Sequence, residues 1–171
     1  MEEGVMQNAD WRSHHIEGFA MAALQRGLDA QFSAPLISHI ITFENGAELH
    51  SGGCIGGVQL DETFNHVVSL YRWEQYRLAE GTTRTEYRAF DSPTQNTDVF
   101  IKAADEATER LLAGDNVLVH CQAGLNRSGV VSALTLMNFG FDAVNAIATL
   151  RMTRSPLVLC NQEFEQWVLS R

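Results

Sequence analysis

The stretch from Asn116 to Met137 constrains this chain more than any other. Asn116-Val117-Leu118-Val119 is a short, mostly apolar, β-branched run, and Val130-Val131-Ser132-Ala133-Leu134-Thr135-Leu136-Met137 suits a buried helix. Between them stand His120-Cys121-Gln122-Ala123-Gly124-Leu125-Asn126-Arg127-Ser128-Gly129. The reading is strand, tight loop, helix N-terminus, the geometry in which backbone N–H groups converge on an anion. A cysteine opens the loop and an arginine closes it six positions later. A thiol near a helix N-terminus and a guanidinium gives up its proton readily, and a guanidinium grips phosphate in bidentate fashion. One turn of chain thus holds a nucleophile and a clamp for its oxyanion. A buried cysteine that merely precedes an arginine would be an inert small hydrophobe, and that reading leaves Gly124 and Arg127 without a purpose.

Strands and helices alternate through the rest of the sequence. Segments 37–43 and 47–50 read as a hairpin about Glu44-Asn45-Gly46, because Asn-Gly is a strong short turn signal. Ser51-Gly52-Gly53 and Gly56-Gly57 predict irregular backbone before a short helix near 60–65, and His66-Val67-Val68-Ser69-Leu70 reads as a buried strand. Residues 83–90 alternate weakly and end in a loop at Asp91-Ser92-Pro93. Thr97 or Asp98 then caps a helix whose apolar positions, Phe100, Ala103, Ala104, Ala107, Leu111 and Leu112, follow a 3.6-residue period until Gly114 stops it. Helices are predicted over 128–139, near 142–152 and near 161–170, and an amphipathic one over 15–31 on Ile16, Phe19, Ala20, Ala23, Leu24 and Leu28. The expected fold class is α/β, a single-domain sandwich with a central, mainly parallel sheet flanked by helices and the Cys loop at a strand's carboxyl end.

Composition narrows the partners. A chain of 171 residues, 45% hydrophobic and 19% charged, can build one full core. No run approaches the ~20 apolar residues of a membrane span, and the acidic start Met1-Glu2-Glu3-Gly4 is unlike a secretory signal. A net charge of −9 opposes nonspecific binding to nucleic acid or anionic membrane, although Arg84, Arg88, Arg127, Arg151 and Arg154 can still converge locally. Cys54, Cys121 and Cys160 lack the pair spacing of a metal site, and an odd set of scattered thiols fits the reducing cytoplasm. Cys54 and Cys160 read as structural thiols, either of which could pair with Cys121 on oxidation.

His120-Cys121-x5-Arg127-Ser128-Gly129 resembles the phosphate-binding loop of the cysteine-based protein tyrosine phosphatase superfamily. Ile55-Gly56-Gly57 ahead of the strand Val67-Val68-Ser69-Leu70, and Arg151-Met152-Thr153-Arg154-Ser155-Pro156 with Asn161, extend the resemblance over roughly residues 36–169, toward dual-specificity phosphatases. The organisation expected is an N-terminal helical extension, 1–35, and a catalytic domain, 36–171. The resemblance implies hydrolysis of phosphomonoesters on phosphorylated protein, at phosphotyrosine and also phosphoserine or phosphothreonine, through a phosphocysteine, with no metal or cofactor.

By that resemblance Cys121 is the nucleophile, the backbone of Gln122, Ala123, Gly124, Leu125, Asn126 and Arg127 binds phosphate, and the Arg127 side chain holds its oxygens. Ser128 can donate to the Cys121 sulfur or cap the helix. His120 reads as a loop-shaping residue and Gly124 as a position needing special backbone or close approach. In the family an Asp on a separate loop protonates the leaving oxygen, about thirty residues before the nucleophile. Asp91 lies thirty residues before Cys121. Asp98 is its rival but falls where a helix cap is expected, and Asp91 can itself be a turn-forming residue. Arg154 either attracts the phosphorylated ligand or is an arginine near a helix end.

Two other readings stand beside this one. RNA 5′-triphosphatases carry Asn-Arg-Thr-Gly where this loop has Asn126-Arg127-Ser128-Gly129, but they do without the Asp acid, and the −9 charge argues against an RNA substrate. A phosphate-binding module without turnover typically lacks the Cys or the Arg, and both are here.

Overall fold

The computed structural model describes residues 36–54, 64–71, 76–92 and 96–171. The extension expected over 1–35, with its helix at 15–31, lies outside the described residues. So does the short helix expected near 60–65, apart from Phe64 and Asn65, which are not helical. In chain order the described elements are strands β1 (Ile37–Thr42), β2 (Glu48–Gly53), β3 (His66–Ser69) and β4 (Thr83–Glu86), helix α1 (Asp98–Leu112), strand β5 (Val117–Cys121), and helices α2 (Arg127–Asn138), α3 (Ala143–Thr153) and α4 (Gln162–Leu169).

The strands form one sheet in the order β1-β2-β5-β3-β4. Only the β1–β2 hairpin is antiparallel, and Gly46, at φ +84°, makes the turn that its Asn-Gly signal predicts. β5 sits at the centre, with Gly53 of β2 and Ser69 of β3 level with Cys121 and His120 at its carboxyl end. Every residue of β3 and β5 is buried, as expected of parallel strands covered on both faces. Val67 and Leu118 are neighbours on one face and pack with Phe64, Ile37, Tyr76 and Leu78. The other face meets the helices. Ser132 of α2 donates to Ser51 of β2 at 3.1 Å, and Glu106 of α1 accepts from Thr85 at 2.7 Å and pairs with His66 at 3.1 Å.

Three expectations need correction. Ser51-Gly52-Gly53 is not irregular but the end of β2, because bare glycine backbone is what lets the Cys loop lie against that strand. Within 83–90 only Thr83–Glu86 is strand, an edge with few buried side chains. Neither Thr97 nor Asp98 caps α1 through its side chain; Asn96 does part of that work, accepting from the Asp98 N–H at 2.9 Å. The helices near 142–152 and 161–170 form much as expected, each with a side-chain cap: Asp142 accepts from the Asn145 N–H and Asn161 from the Glu163 N–H.

Candidate active site

β5 ends at Cys121 and α2 begins at Arg127, so the intervening loop faces the carboxyl edge of the sheet. The loop is built against backbone. The Cys54 N–H donates to the Gln122 carbonyl at 3.0 Å, and the Leu70 N–H to the His120 carbonyl at 2.8 Å. Gly124 has φ +74°, and a Cβ there would lie 2.6 Å from the Gly52 oxygen and closer still to the Gly52 carbonyl carbon and the Gly53 nitrogen. Both readings of this glycine, special backbone and close approach, hold at once. The approach, however, is to β2, a contact that the glycine pair at 52–53 signals and that loop sequence alone does not.

The Cys121 sulfur is buried and meets the Gly124 N–H and the Ser128 hydroxyl, each at 3.3 Å. N–H and O–H dipoles aimed at sulfur stabilise negative charge there. Ser128 is not the helix cap: Asn126 occupies that position, without a side-chain cap bond, which leaves the Ser128 hydroxyl to the sulfur. Arg127 is buried, its Nη1 donating to the carbonyls of Leu70 at 3.2 Å and Ala89 at 3.4 Å. Its Nε is buried without a hydrogen-bond partner among the described residues. A guanidinium fixed at one nitrogen and open at another is poised for an acceptor that the described residues do not supply.

His120 lies behind the thiol. Its Nδ1 donates to the Cys121 carbonyl at 3.3 Å, since a carbonyl only accepts, and Nε2 therefore accepts from the Tyr76 hydroxyl at 2.5 Å. Burial lowers its pKa to about 4, the Cys121 carbonyl opposing and the Arg84 and Arg127 charges assisting, so the ring is neutral at pH 7. Tyr76 lies in a stretch without periodicity, and nothing in the sequence marks it.

Asp91 reaches the loop and Asp98 does not. The Asp91 carboxylate accepts from the Asn126 amide at 2.9 Å on one oxygen and from the Asn161 amide at 2.9 Å on the other. Asp98 opens α1 as part of its first turn. Of the five arginines that could converge, Arg127 closes the loop, Arg154 acts on Cys121, and Arg84 lies over the ring of Tyr76 behind His120. Arg154 is buried; burial lowers its pKa, and negative charge at Cys121 raises it, which places the guanidinium within the field of the thiol. Arg151 instead pairs with Glu165 at 2.9 Å, and Arg84 also pairs with Glu86. Cys54 is buried; Cys160 is half-buried, its thiol 3.4 Å from the Asn126 side-chain oxygen. Among the described residues no group of three or more His, Cys, Asp or Glu side chains is arranged to hold a metal ion, and no helix is long and apolar enough to cross a membrane.

A central parallel strand, a Cys-x5-Arg loop at its carboxyl end and a helix behind that loop define a cysteine-dependent phosphatase of the protein tyrosine phosphatase superfamily. More narrowly, the family model of the dual specificity phosphatase catalytic domain matches residues 58–170, and the chain belongs to that family. The fold is similar to that of a mouse putative dual specificity phosphatase complexed with zinc tungstate (TM-score 0.66, 19% identity, covering 81% of this chain and 87% of that one). It is also similar to that of human DUSP28 (TM-score 0.65, 19% identity, covering 78% and 95%). A third similar structure is the human tyrosine phosphatase-like serine/threonine/tyrosine-interacting protein (TM-score 0.64, 18% identity, covering 78% and 93%). No curated protein sequence matches the chain.

Proposed function

We propose that this phosphatase acts on phosphorylated protein, at phosphotyrosine and at phosphoserine or phosphothreonine, through a phosphocysteine intermediate. The observation that carries the reading is the meeting of Asp91 with the Cys loop: an acid thirty residues upstream is joined by hydrogen bond to Asn126 of the loop that Cys121 opens. An acid group is what a poor leaving group, a phenolate or an alkoxide, requires, and it is what the triphosphatase reading does without.

In the first step the Cys121 thiolate attacks phosphorus in line. The S–P bond forms as the P–O bond breaks, and the Asp91 carboxyl passes its proton to the departing oxygen. The backbone N–H groups of Gln122 to Arg127 and the Arg127 guanidinium hold the nonbridging oxygens as charge moves through the transition state. In the second step Asp91, now a carboxylate, takes a proton from water as that water attacks the phosphocysteine. The S–P bond breaks, and the Ser128 hydroxyl stabilises the departing sulfur. His120 keeps the loop in shape as a neutral ring, and Arg154 adds positive potential that draws a phosphorylated ligand in.

Turnover measured side by side on a phosphotyrosine peptide, a phosphothreonine peptide and 5′-triphosphate RNA tests the assignment. Cys121→Ser should abolish turnover while inorganic phosphate still binds, because a serine hydroxyl stays protonated. Asp91→Asn should slow the first step, read as kcat/KM, by roughly 10²-fold or more on phosphotyrosine and far less on an aryl phosphate with a stable anionic leaving group. Rapid RNA turnover with Asp91→Asn unaffected would move the enzyme to the triphosphatases, and substantial activity in Cys121→Ser would refute the mechanism.

A further inference from the structure

Among the described residues, the contacts that hold the Arg127 side chain are neutral. Its Nη1 donates to the carbonyls of Leu70 at 3.2 Å and Ala89 at 3.4 Å, and its Cζ lies 5.5 Å from the centre of the Tyr71 ring. Tyr71 is half-buried and directly follows Leu70, so a carbonyl that grips the guanidinium and the ring that meets it come from consecutive residues. That stretch is fixed in place. The Leu70 N–H donates to the His120 carbonyl at 2.8 Å, which carries the pairing of β3 with β5 one step past the strand. The Ser69 hydroxyl donates to the Tyr71 carbonyl at 3.3 Å.

We propose that Tyr71 is a positioning residue for the phosphate clamp, its ring setting how the Arg127 guanidinium meets the nonbridging oxygens. The inference rests on the reading of Arg127 as that clamp. Two carbonyls at one nitrogen fix a point and leave the rest of the guanidinium to swing about it. A ring within about 6 Å of the cation adds a second hold, because the negative face of its quadrupole attracts the charge. A carboxylate would orient the group too, but it would neutralise the charge that the transition state needs. A ring leaves that charge, and the remaining N–H groups, to the phosphate. The buried Nε, which has no hydrogen-bond partner among the described residues, is one of those groups. Arg127 is itself buried, and a cation–π contact is stronger when the cation is desolvated. A clamp on nonbridging oxygens acts whichever group leaves, so its loosening is felt equally on esters of good and poor leaving groups.

The test uses the full chain, with Tyr71 replaced by phenylalanine and by its mono-, di- and trifluorinated forms. Fluorine nearly preserves the size of the ring while draining its negative face, so packing is held and only the attraction for the cation fades. Measured against Tyr71→Phe, kcat/KM should fall stepwise with each fluorine, by roughly tenfold across the series. The factor should be the same on phenyl phosphate and on 2,4-dinitrophenyl phosphate. Arg127→Met removes the guanidinium and should lower kcat/KM by roughly 10²-fold or more. In that background the fluorinated series should be flat, because the cation it acts on is gone. A flat series in the unaltered background, or a loss confined to phenyl phosphate, would overturn the proposal. If Arg127→Met is crippled and the series stays graded in its background, the positioning role alone fails. If Arg127→Met keeps full activity, the reading of Arg127 as the clamp fails and takes this inference with it.

Discussion

Gly124→Ala isolates the contact on which the whole loop rests. The residue has φ +74°, a region that costs an L-residue with a Cβ about 1–2 kcal/mol. The added methyl would stand 2.6 Å from the oxygen of Gly52, and closer still to the carbonyl carbon of Gly52 and the nitrogen of Gly53. Those atoms are backbone of β2, paired with β5 at Gly52–His120 and Gly53–Cys121, so they cannot move without straining the central ladder. Overpacking of that kind typically adds about 1–3 kcal/mol, which gives a loss of about 2–5 kcal/mol in all. The loop is the softer partner. Moving it back to ordinary contact shifts the Gly124 N–H and the phosphate-binding backbone by about 1 Å, enough to lower kcat by roughly 10²-fold. Gly114→Ala is the control: its φ is +95° but no atom lies within 4 Å of the added Cβ, so only the backbone cost remains and activity should be unchanged. Urea denaturation and steady-state kinetics on one aryl phosphate measure both effects. The reasoning is refuted if Gly124→Ala is no less stable than Gly114→Ala and retains full kcat.

Arg127→Lys should lower kcat/KM by roughly 10²-fold or more, since a point charge can neither bridge the Leu70 and Ala89 carbonyls as the guanidinium does nor present a planar fork to phosphate. His120 should give the fold an acid sensitivity. Its pKa falls from an ordinary 6.5 to about 4, so below pH 6.5 the unfolded chain takes up a proton that the folded chain refuses until about pH 4. The stability it permits is full above pH 6.5 and falls by an amount on the order of 3 kcal/mol as pH drops to 4. His120→Asn should flatten that part of the curve of denaturation midpoint against pH, and an unchanged slope between pH 6.5 and 4 would rule out this residue as its source.

The nucleophile and its clamp were legible because everything they need is contiguous. A β-branched strand, a turn with a left-handed glycine and a buried helix lie between Asn116 and Met137, and local propensity and periodicity report directly on such a unit. The hairpin at Asn45-Gly46 and the helices α3 and α4 were legible for the same reason: turns and apolar periodicity are settled by neighbours a few positions away. Asp91 was visible only as a distance along the chain, and what brings it to the loop is a pair of amides, Asn126 and Asn161, that no local pattern couples to it. Tyr76 behind His120 carried no signal at all, and Gly52-Gly53 carried a misleading one, since glycines that loosen a loop and glycines that admit another backbone look alike in one dimension. The amino-acid order by itself thus determined the chemistry of the site, because a nucleophilic loop is a short-range object. Only the tertiary structure decided which distant groups surround it, because sheet order and the α3–α4 turn bring together residues 70 and more positions apart through contacts whose formation depends on the packed core rather than on neighbours in the chain.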